Sequence, residues 1–170
     1  RDAKKNGVKF GIWIEPEMGN WKASELYDKH PDWFLQNTGV EPVQQRGSTQ
    51  ARLDLCNPKV QDFVVGVVDR LMTDCPELAY IKWDDNAITA NYGSTYLGSD
   101  RQSQIYTGYH LALRKVLERI RAKYPDLVIQ DCASGGGRVN YGLLPYFDEF
   151  WTSDNTDALQ RVYIQWGTSQ

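Results

Sequence analysis

Two groups of aspartates are the residues best suited to chemistry in this sequence. Asp84 and Asp85 follow an apolar run within Lys-Trp-Asp-Asp-Asn, and Asp154 and Asp157 follow a later run within Trp-Thr-Ser-Asp-Asn-Thr-Asp. Cleavage of a glycosidic bond needs one carboxylic acid to protonate the leaving oxygen and one carboxylate to attack the anomeric carbon or activate water. Carboxylates at the ends of two strands therefore suggest glycoside hydrolysis. The alternative is that these aspartates only cap the helices that follow.

Aromatic and basic side chains accompany both groups. Trp13, Trp83 and Trp151 lie within or at the ends of predicted strands, where an indole ring either stacks on a sugar or fills the core. Side chains alternate along a strand, so Lys82 and Asp84 are predicted to share one face. The lysine charge would then favour the ionised form of the carboxylate.

Apolar runs that end in acidic, polar or glycine-rich residues are predicted to be strands. These runs cover residues 8–14, 78–83, 127–132 and 147–153. Strands that alternate with helices indicate parallel pairing through right-handed crossovers. Because the polar residues follow the strands, as in the active site of a (β/α)8 TIM barrel, we predict an α/β fold with about half of such a barrel, whose full length is about 250 residues. A doubly wound sheet is the rival architecture, but its usual glycine-rich loop after the first strand is absent.

Helix signals separate the predicted strands. Asn57 as N-cap, Pro58 at the first helical position and an i, i+3, i+4 apolar stripe to residue 72 predict one helix. A second stripe predicts a helix over residues 106–124, and residues 24–30 predict a short one. The polar stretch between residues 35 and 52 indicates a long loop or a hairpin excursion.

The first residues have the pattern of a helix that ends in a glycine cap at Gly7. Since the chain also lacks an initial methionine, we expect further residues upstream of Arg1.

Composition and charge argue against several classes of partner. Nineteen Lys and Arg against 22 Asp and Glu give a net charge of -3 with no basic stripe, so we expect no nucleic acid partner. The apolar runs fall short of the roughly 20 residues of a membrane helix, which predicts a soluble chain of unassigned compartment. Three cysteines without a Cys-x-x-Cys pair argue against structural zinc.

Two further kinds of site are disfavoured by the residues present. Cys132 as a nucleophile would need a histidine base, but His30 lies beside a proline and His110 lies in a helical stripe. The Gly135-Gly-Gly-Arg138 segment lacks the Lys-Ser or Lys-Thr ending of a phosphate-binding loop.

Four motifs, in order and spanning almost the whole chain, closely resemble the α-galactosidases of glycoside hydrolase family 36. They are Gly11-Ile-Trp-Ile-Glu-Pro-Glu, Lys82-Trp-Asp-Asp-Asn, Cys132-Ala-Ser-Gly-Gly-Gly-Arg and Trp151-Thr-Ser-Asp-Asn-Thr-Asp. The resemblance implies a TIM barrel, of which this chain would carry roughly the third to sixth strands, and a retaining mechanism. Asp84 would be the nucleophile and Asp154 the general acid/base. A retaining enzyme keeps these two carboxyl groups about 5 to 5.5 Å apart.

The same resemblance implies a galactose-binding set and a group of supporting carboxylates. The substrate contacts would be Trp13, Arg46, Lys82, Asn86, Cys132 and Gly135. Glycines of the Gly135 motif would let the backbone approach the sugar closely. Glu15, Glu17 and Asp157 would support the site or cap a helix. Asp85 stands where relatives often have Met or Cys, and strand alternation leads us to expect that it faces outward.

The expected substrate is a terminal α-D-galactoside of the raffinose or galactomannan type. An α-N-acetylgalactosaminidase, a galactosyltransferase of the raffinose-synthase type and a non-catalytic carbohydrate-binding remnant stay open as alternatives. No metal or cofactor is implied, because acetal cleavage needs neither redox chemistry nor an obligatory metal. The resemblance also suggests a homo-oligomer of the full-length protein. It implies an N-terminal β-domain, earlier barrel strands and a C-terminal region that this sequence lacks, so we expect the isolated chain to be poorly folded or inactive.

Overall fold

A computed structural model describes residues 2–37, 41–42, 49–87 and 92–170 of the chain. The strands in these ranges are β1 (Phe10–Ile14), β2 (Met18–Asn20), β3 (Gln50–Arg52), β4 (Leu78–Trp83), β5 (Val128–Asp131) and β6 (Glu149–Phe150). The α-helices are α1 (Asp2–Lys5), α2 (Glu25–Lys29), α3 (Pro58–Asp74), α4 (Ile105–Lys123) and α5 (Ala158–Thr168). Short 3-10 helices lie at Pro31–Trp33 and Ser99–Gln104.

Strands β1, β4, β5 and β6 form a parallel sheet in that order. The order follows the chain, with α3 crossing over between β1 and β4 and α4 between β4 and β5. In the register, Ile14 is beside Trp83, Trp83 is beside Asp131, and Asp131 is beside Phe150. The carboxyl ends of all four strands therefore lie at one edge, as the alternation of strands and helices predicted.

The last predicted strand is shorter than expected. Among residues 147–153 only Glu149–Phe150 is strand, although the Trp151 N–H still donates to Asp131 O at 2.8 Å. Beyond it, Thr152 turns its carbonyl to the N–H of Gly136 at 3.0 Å, so this segment pairs with a loop instead of a strand. The prediction of a strand through residue 153 is wrong for this reason.

The first strand begins later than predicted. Val8 N–H donates to the carbonyl of Ala3 at 2.9 Å, which ties it to α1 instead of the sheet. Gly7 between them has φ +68°, so the predicted glycine cap is confirmed.

The segment after β1 leaves the sheet and returns as a small antiparallel pair. Strand β2 pairs with β3, and Phe34 forms an isolated bridge with Leu53. The flanks of the polar stretch are thus joined, which agrees with the hairpin alternative. Gly19 of β2 packs closely against the ring of Phe34, and this ring is completely buried.

The two long helices bury their predicted apolar stripes. Asn57 accepts a hydrogen bond from Lys59 N–H at 3.0 Å and Pro58 starts α3, so this start is confirmed. The stripes of both helices join the strands in one apolar core, whose members include Val64, Val68, Ile81, Leu113, Leu117 and Ile129. None of the helices in the described ranges is long and apolar enough to cross a membrane.

Helix α5 is not predicted by the sequence analysis. Asp157 caps it by accepting from Gln160 N–H at 2.9 Å, which fits the helix-cap interpretation of Asp157. Its larger apolar side chains are exposed, at Leu159, Val162, Tyr163 and Trp166.

Replacing a close-packed glycine should destabilise the fold. A Cβ at Gly19 would lie 2.9 Å from two ring atoms of Phe34. Gly19→Ala in the full-length protein should therefore lower the free energy of unfolding by about 1 to 3 kcal/mol, as overpacking does. Chemical denaturation measures this change.

Gly66→Ala is the matched control, because a Cβ there would meet nothing within 4 Å and the residue lies inside α3. This variant should gain up to about 1 kcal/mol from helix propensity. Equal stabilities of the two variants would contradict the packing argument.

Candidate active site

Backbone hydrogen bonds hold Asp84 at the carboxyl edge of the sheet. Its N–H donates to Ile14 O at 2.9 Å on β1, and Cys132 N–H donates to Trp83 O at 2.9 Å on β4. The parallel ladder thus continues one residue beyond the strands, so the position of Asp84 is set by sheet geometry and not by a loop.

The Asp84 carboxylate is nearly buried, with 6% exposure, and is surrounded by donors. Its Oδ2 accepts from Trp13 Nε1 at 3.0 Å and Asn86 Nδ2 at 2.9 Å, and its Oδ1 accepts from Asp85 N–H at 2.9 Å. Burial raises the pKa of Asp84, but hydrogen bonds from Cys132, Trp13 and Asn86 outweigh it, and the pKa lies below the usual aspartate value. The group is therefore an ionised carboxylate at neutral pH.

Asn86 is itself held from two sides. Its Nδ2 also donates to Glu15 Oε1 at 2.6 Å, and its Oδ1 accepts from Ser134 Oγ at 3.0 Å. Ser134 adopts φ +51°, in the left-handed region. Glu15 therefore supports the site as expected, whereas the sequence analysis did not single out Ser134.

Asp154 lies beyond the end of β6, on an exposed segment. Its Oδ1 accepts from Trp151 Nε1 at 2.7 Å, and the Lys82 ammonium lies 4.4 Å from the centroid of the Trp151 ring. This cation–π contact connects β4 to the Asp154 segment across β5. The distance of 5 to 5.5 Å between the Asp84 and Asp154 carboxyl groups stays a prediction.

The glycine loop packs against the segment that carries Asp154. Gly135 has φ +93°, and a Cβ there would lie 3.0 Å from the Thr152 carbonyl oxygen. Gly136 donates its N–H to that oxygen at 3.0 Å. In this structure the glycines let two backbone segments of the chain itself come together, and their approach to a sugar stays a prediction.

The three strand-end tryptophans have different surroundings. Trp83 is completely buried and donates to Glu17 Oε1 at 2.8 Å, so it is a core residue. Trp13 is 45% exposed, which leaves its ring accessible for stacking. Trp151 is half-buried between Lys82 and Asp154.

A buried ionic cluster lies behind Asp84. Arg138 donates through Nη1 to Glu17 Oε1 at 2.6 Å and through Nη2 to Asp131 Oδ1 at 2.8 Å. Asp85 joins the cluster through Oδ2, which accepts from Arg52 and lies 3.4 Å from Arg138 Nη1. The cluster thus combines carboxylates from three strand ends with two guanidinium groups.

The expectation that Asp85 faces outward is wrong, since the residue is only 3% exposed. The Asp85 N–H still donates to Cys132 O at 3.0 Å, but Arg52 and Arg138 lie against the Asp85 carboxylate, so the position that was expected to face water is covered. Ion pairing with Arg52 and Arg138 compensates for its burial.

Burial, the neighbouring carboxylates and the two arginines act in opposite directions on the pKa values of the carboxylates in the cluster. Burial and the negative charge of Glu17 raise the pKa of Asp85 to about 6, although Arg138 and Arg52 counteract them. Burial also raises the pKa of Asp131 despite its pairing with Arg138. For Glu17, burial acts in the same direction, but Arg138 and Arg52 outweigh it and its pKa is lowered. A proton on Asp85 would balance the three carboxylates against the two arginines.

Three further predictions from the sequence concern Cys132, Arg46 and a metal site. Cys132 is buried, and its thiol is hydrogen-bonded to Asp84, which together with burial raises the thiol pKa to about 11. Arg46, the weakest of the expected substrate contacts, lies outside the described residues. Within the described ranges, no three His, Cys, Asp or Glu side chains are grouped so that they could hold a metal ion.

Arg52 and Arg138 are parts of the site that were not predicted from the sequence. The sequence does contain a signal for Arg138. This arginine directly follows three glycines at a strand end, and such glycines indicate that two backbone segments approach each other closely there. Arg52 gives no such signal, since its partner Asp85 is distant in the chain.

Asp85→Asn should flatten the pH dependence of stability. The folded-state pKa of about 6 lies above the value of about 3.9 for an unfolded aspartate, so the folded protein binds this proton more tightly. Its stabilising contribution is complete below about pH 4 and is lost as the pH rises through 6. Between pH 5 and 7 the full-length variant should therefore lose less stability than wild type in denaturant unfolding.

Asp126→Asn, an exposed position, provides the control for this comparison and should follow the wild-type profile. Parallel profiles for wild type and Asp85→Asn would contradict the assigned titration.

The family model and the proteins that match this chain in sequence agree with one another. A family model described as melibiase matches residues 1–170. The chain is 39% identical over 163 residues to α-galactosidase AgaA of Geobacillus stearothermophilus, covering 96% of this chain and 22% of that protein. It is 40% identical over 165 residues to α-galactosidase 1 of Pediococcus pentosaceus, covering 97% of this chain and 22% of that protein.

Solved structures agree with these relatives. An α-galactosidase from Lactobacillus brevis superposes with a TM-score of 0.91 at 38% identity, over 99% of this chain and 22% of that one. The GH36 enzyme AgaA of Geobacillus stearothermophilus gives a TM-score of 0.88 at 37% identity, over 98% of this chain and 23% of that one. The chain spans less than a quarter of the length of these relatives. With a family model matched from end to end and this likeness in sequence and structure, the chain belongs to the melibiase family, with the α-galactosidases of glycoside hydrolase family 36.

Proposed function

We propose that the protein containing this chain is a retaining α-galactosidase that cleaves terminal α-D-galactosyl residues from raffinose-type oligosaccharides or galactomannan. One observation carries the proposal. Asp84 is an ionised carboxylate, held by several donors at the carboxyl edge of a parallel sheet, and Asp154 follows a strand of the same sheet. This is the pair of groups that a double displacement at an anomeric carbon requires.

The names and ligands of the relatives support this assignment. The AgaA enzyme has been solved in complex with raffinose and with stachyose, each time with a different aspartate replaced. Those two aspartates are separated along that chain by the same number of positions as Asp84 and Asp154 here.

Each carboxylate has one role in each half of the reaction. In the first half, the proton of Asp154 moves to the glycosidic oxygen while an Asp84 oxygen forms a bond to the anomeric carbon, and the bond to the leaving group breaks. The product is a β-galactosyl ester of Asp84. In the second half, Asp154 takes a proton from water, whose oxygen displaces Asp84 and restores the α-configuration.

The site around Asp84 offers the groups that a galactose needs. The Trp13 ring, the Lys82 ammonium, Asn86 and Cys132 are proposed as sugar contacts, together with Gly135 and Arg46. Trp13, Asn86 and Cys132 also donate to Asp84, so the same groups that hold the nucleophile would line the sugar pocket.

We further propose that the parallel sheet is roughly the third to sixth strands of a (β/α)8 barrel. Exposed apolar side chains at both ends of this sheet support the proposal: Val8 and Phe10 just before and at the start of β1, and Leu159, Val162 and Trp166 on α5. Neighbouring barrel elements would cover these surfaces.

The isolated chain of residues 1–170 should therefore lack cooperative melting and galactosidase turnover, because the edge of β1 and the face of α5 would be open to water. Calorimetry and an activity assay of the isolated chain check this. A cooperative transition with turnover would contradict the half-barrel proposal.

Substitution of the two carboxylates in the full-length protein tests the reaction. Asp84→Ala and Asp154→Ala should each lower kcat/KM for phenyl α-galactoside, whose leaving group needs a proton, by at least about 10²-fold, the lower range for loss of acid–base catalysis. With added azide, Asp84→Ala should form the β-galactosyl azide by direct displacement. Asp154→Ala should form the α-galactosyl azide from the covalent intermediate. The configuration of each product, read by NMR, assigns the two roles.

Asp157→Asn is the matched control, because it changes a carboxylate of the same segment that caps α5. It should keep near-wild-type kcat/KM. Cleavage of an α-N-acetylgalactosaminide in place of the galactoside would overturn the proposed substrate. Galactose binding without turnover of any glycoside would favour a carbohydrate-binding role.

A further inference from the structure

We propose that Arg138 is a positioning residue for the reaction: its buried guanidinium fixes the backbone segments that carry Asp84 and Asp154 relative to each other. The inference rests on the proposed function, because it assigns to Arg138 the alignment of the two carboxylates of that function.

The guanidinium contacts the ends of three adjacent strands. Nε and Nη2 both donate to Asp131 Oδ1, at 3.0 and 2.8 Å, at the end of β5. Nη1 donates to Glu17 Oε1 at 2.6 Å, just after β1, and lies 3.4 Å from Asp85 Oδ2, just after β4. The Arg138 side chain is 6% exposed, so water does not compete for these bonds.

One connection leads from Arg138 to Asp84. The Asp85 side chain is held by Arg138 and Arg52, and its own N–H donates to Cys132 O and to Asp84 Oδ1. A shift of the Asp85 side chain would therefore move a backbone donor of the Asp84 carboxylate.

A second connection leads from Arg138 to Asp154. Arg138 follows the glycine loop, in which Gly137 N–H donates to Ala133 O at 3.2 Å. The same loop holds the Thr152 carbonyl through Gly136 N–H at 3.0 Å, two residues before Asp154. The anchored Arg138 side chain therefore fixes the position of the glycine loop, and the segment that carries Asp154 packs against this loop.

Stability alone does not explain why this position carries a charge. Buried ion pairs are often no more stable than well-packed apolar side chains of similar volume. A guanidinium, however, presents five donors in a rigid plane, and this plane fixes the angles between the groups that it binds. The geometry therefore favours alignment as the role of the arginine.

Arg121 of α4 provides a comparison at the opposite edge of the sheet, where β5 and β6 begin. Nε donates to Tyr146 O at 2.8 Å, Nη1 to Leu127 O and Nη2 to Asp148 Oδ2, the last two at 2.5 Å. These partners precede β5 and β6, so Arg121 joins those two strands at the ends opposite to Asp84 and Asp154.

The test measures kcat and KM of the full-length protein on two aryl α-galactosides that differ in leaving group, nitrophenyl and unsubstituted phenyl. Nitrophenolate leaves with little help from an acid, whereas phenolate needs the proton of Asp154. The phenyl-to-nitrophenyl ratio of kcat/KM therefore reports the placement of Asp154, and it does not depend on the fraction of enzyme that is folded. The remaining loss on the nitrophenyl substrate reports the placement of Asp84.

For Arg138→Lys we expect kcat/KM for the phenyl substrate to fall by about 10²-fold, as for a misplacement of about 1 Å, mainly through kcat. The phenyl-to-nitrophenyl ratio should fall by about tenfold, a part of the 10² to 10⁴-fold that acid–base catalysis contributes. Arg121→Lys should lower the melting temperature and leave the ratio at its wild-type value.

Glu17→Gln keeps Arg138 and weakens one anchor, so it should shift the ratio in the same direction by a smaller factor. It decides the question if Arg138→Lys does not fold. An unchanged ratio in the folded variants, with an active wild type, overturns the positioning role and leaves the proposed function intact. A wild type that cleaves neither galactoside, although it is folded, overturns both.

Discussion

The register of the parallel sheet is the constraint on which the site depends. Asp84, Cys132 and Trp151 each directly follow a strand, and each still donates its N–H to the preceding strand of the sheet at 2.8 to 2.9 Å. The ladder therefore extends one residue past the regular strands before the chain turns away. Because the ladder is shared, the residues at one strand end move only together with those at the next, and side chains distant in sequence keep a fixed spacing.

The charged groups buried at the carboxyl edge of the sheet need local stabilisation. The chain provides it in two ways. Asp84 keeps its charge through neutral and weak donors, an indole, an amide, a thiol and a backbone N–H. Glu17 and Asp131 instead both pair with the guanidinium of Arg138. The first arrangement leaves the Asp84 carboxylate without a fixed counter-charge, which suits the nucleophile that we propose, whereas the second suits a group that only has to stay in place.

Local patterns predicted much of this fold. The Asn57-Pro58 start of α3 and the strand ending at Asp84 are set by residues next to one another, so they can be read from sequence. The inward turn of Asp85 cannot, because it depends on Arg52 and Arg138, which come close only in the folded chain. The short β6 and the helix α5 were not predicted: contact with the glycine loop ends β6, and the larger apolar side chains of α5 are exposed, so α5 has no buried stripe.

The bond between Glu17 and Arg138 joins residues 121 positions apart, which has a consequence for folding order. During synthesis, Glu17 leaves the ribosome long before its partner exists, and closing a loop of this length costs conformational entropy before any contact is gained. The full set of ion pairs behind Asp84 can therefore form only after residue 138 has been made, which is later in synthesis than all but the last short strand of the sheet.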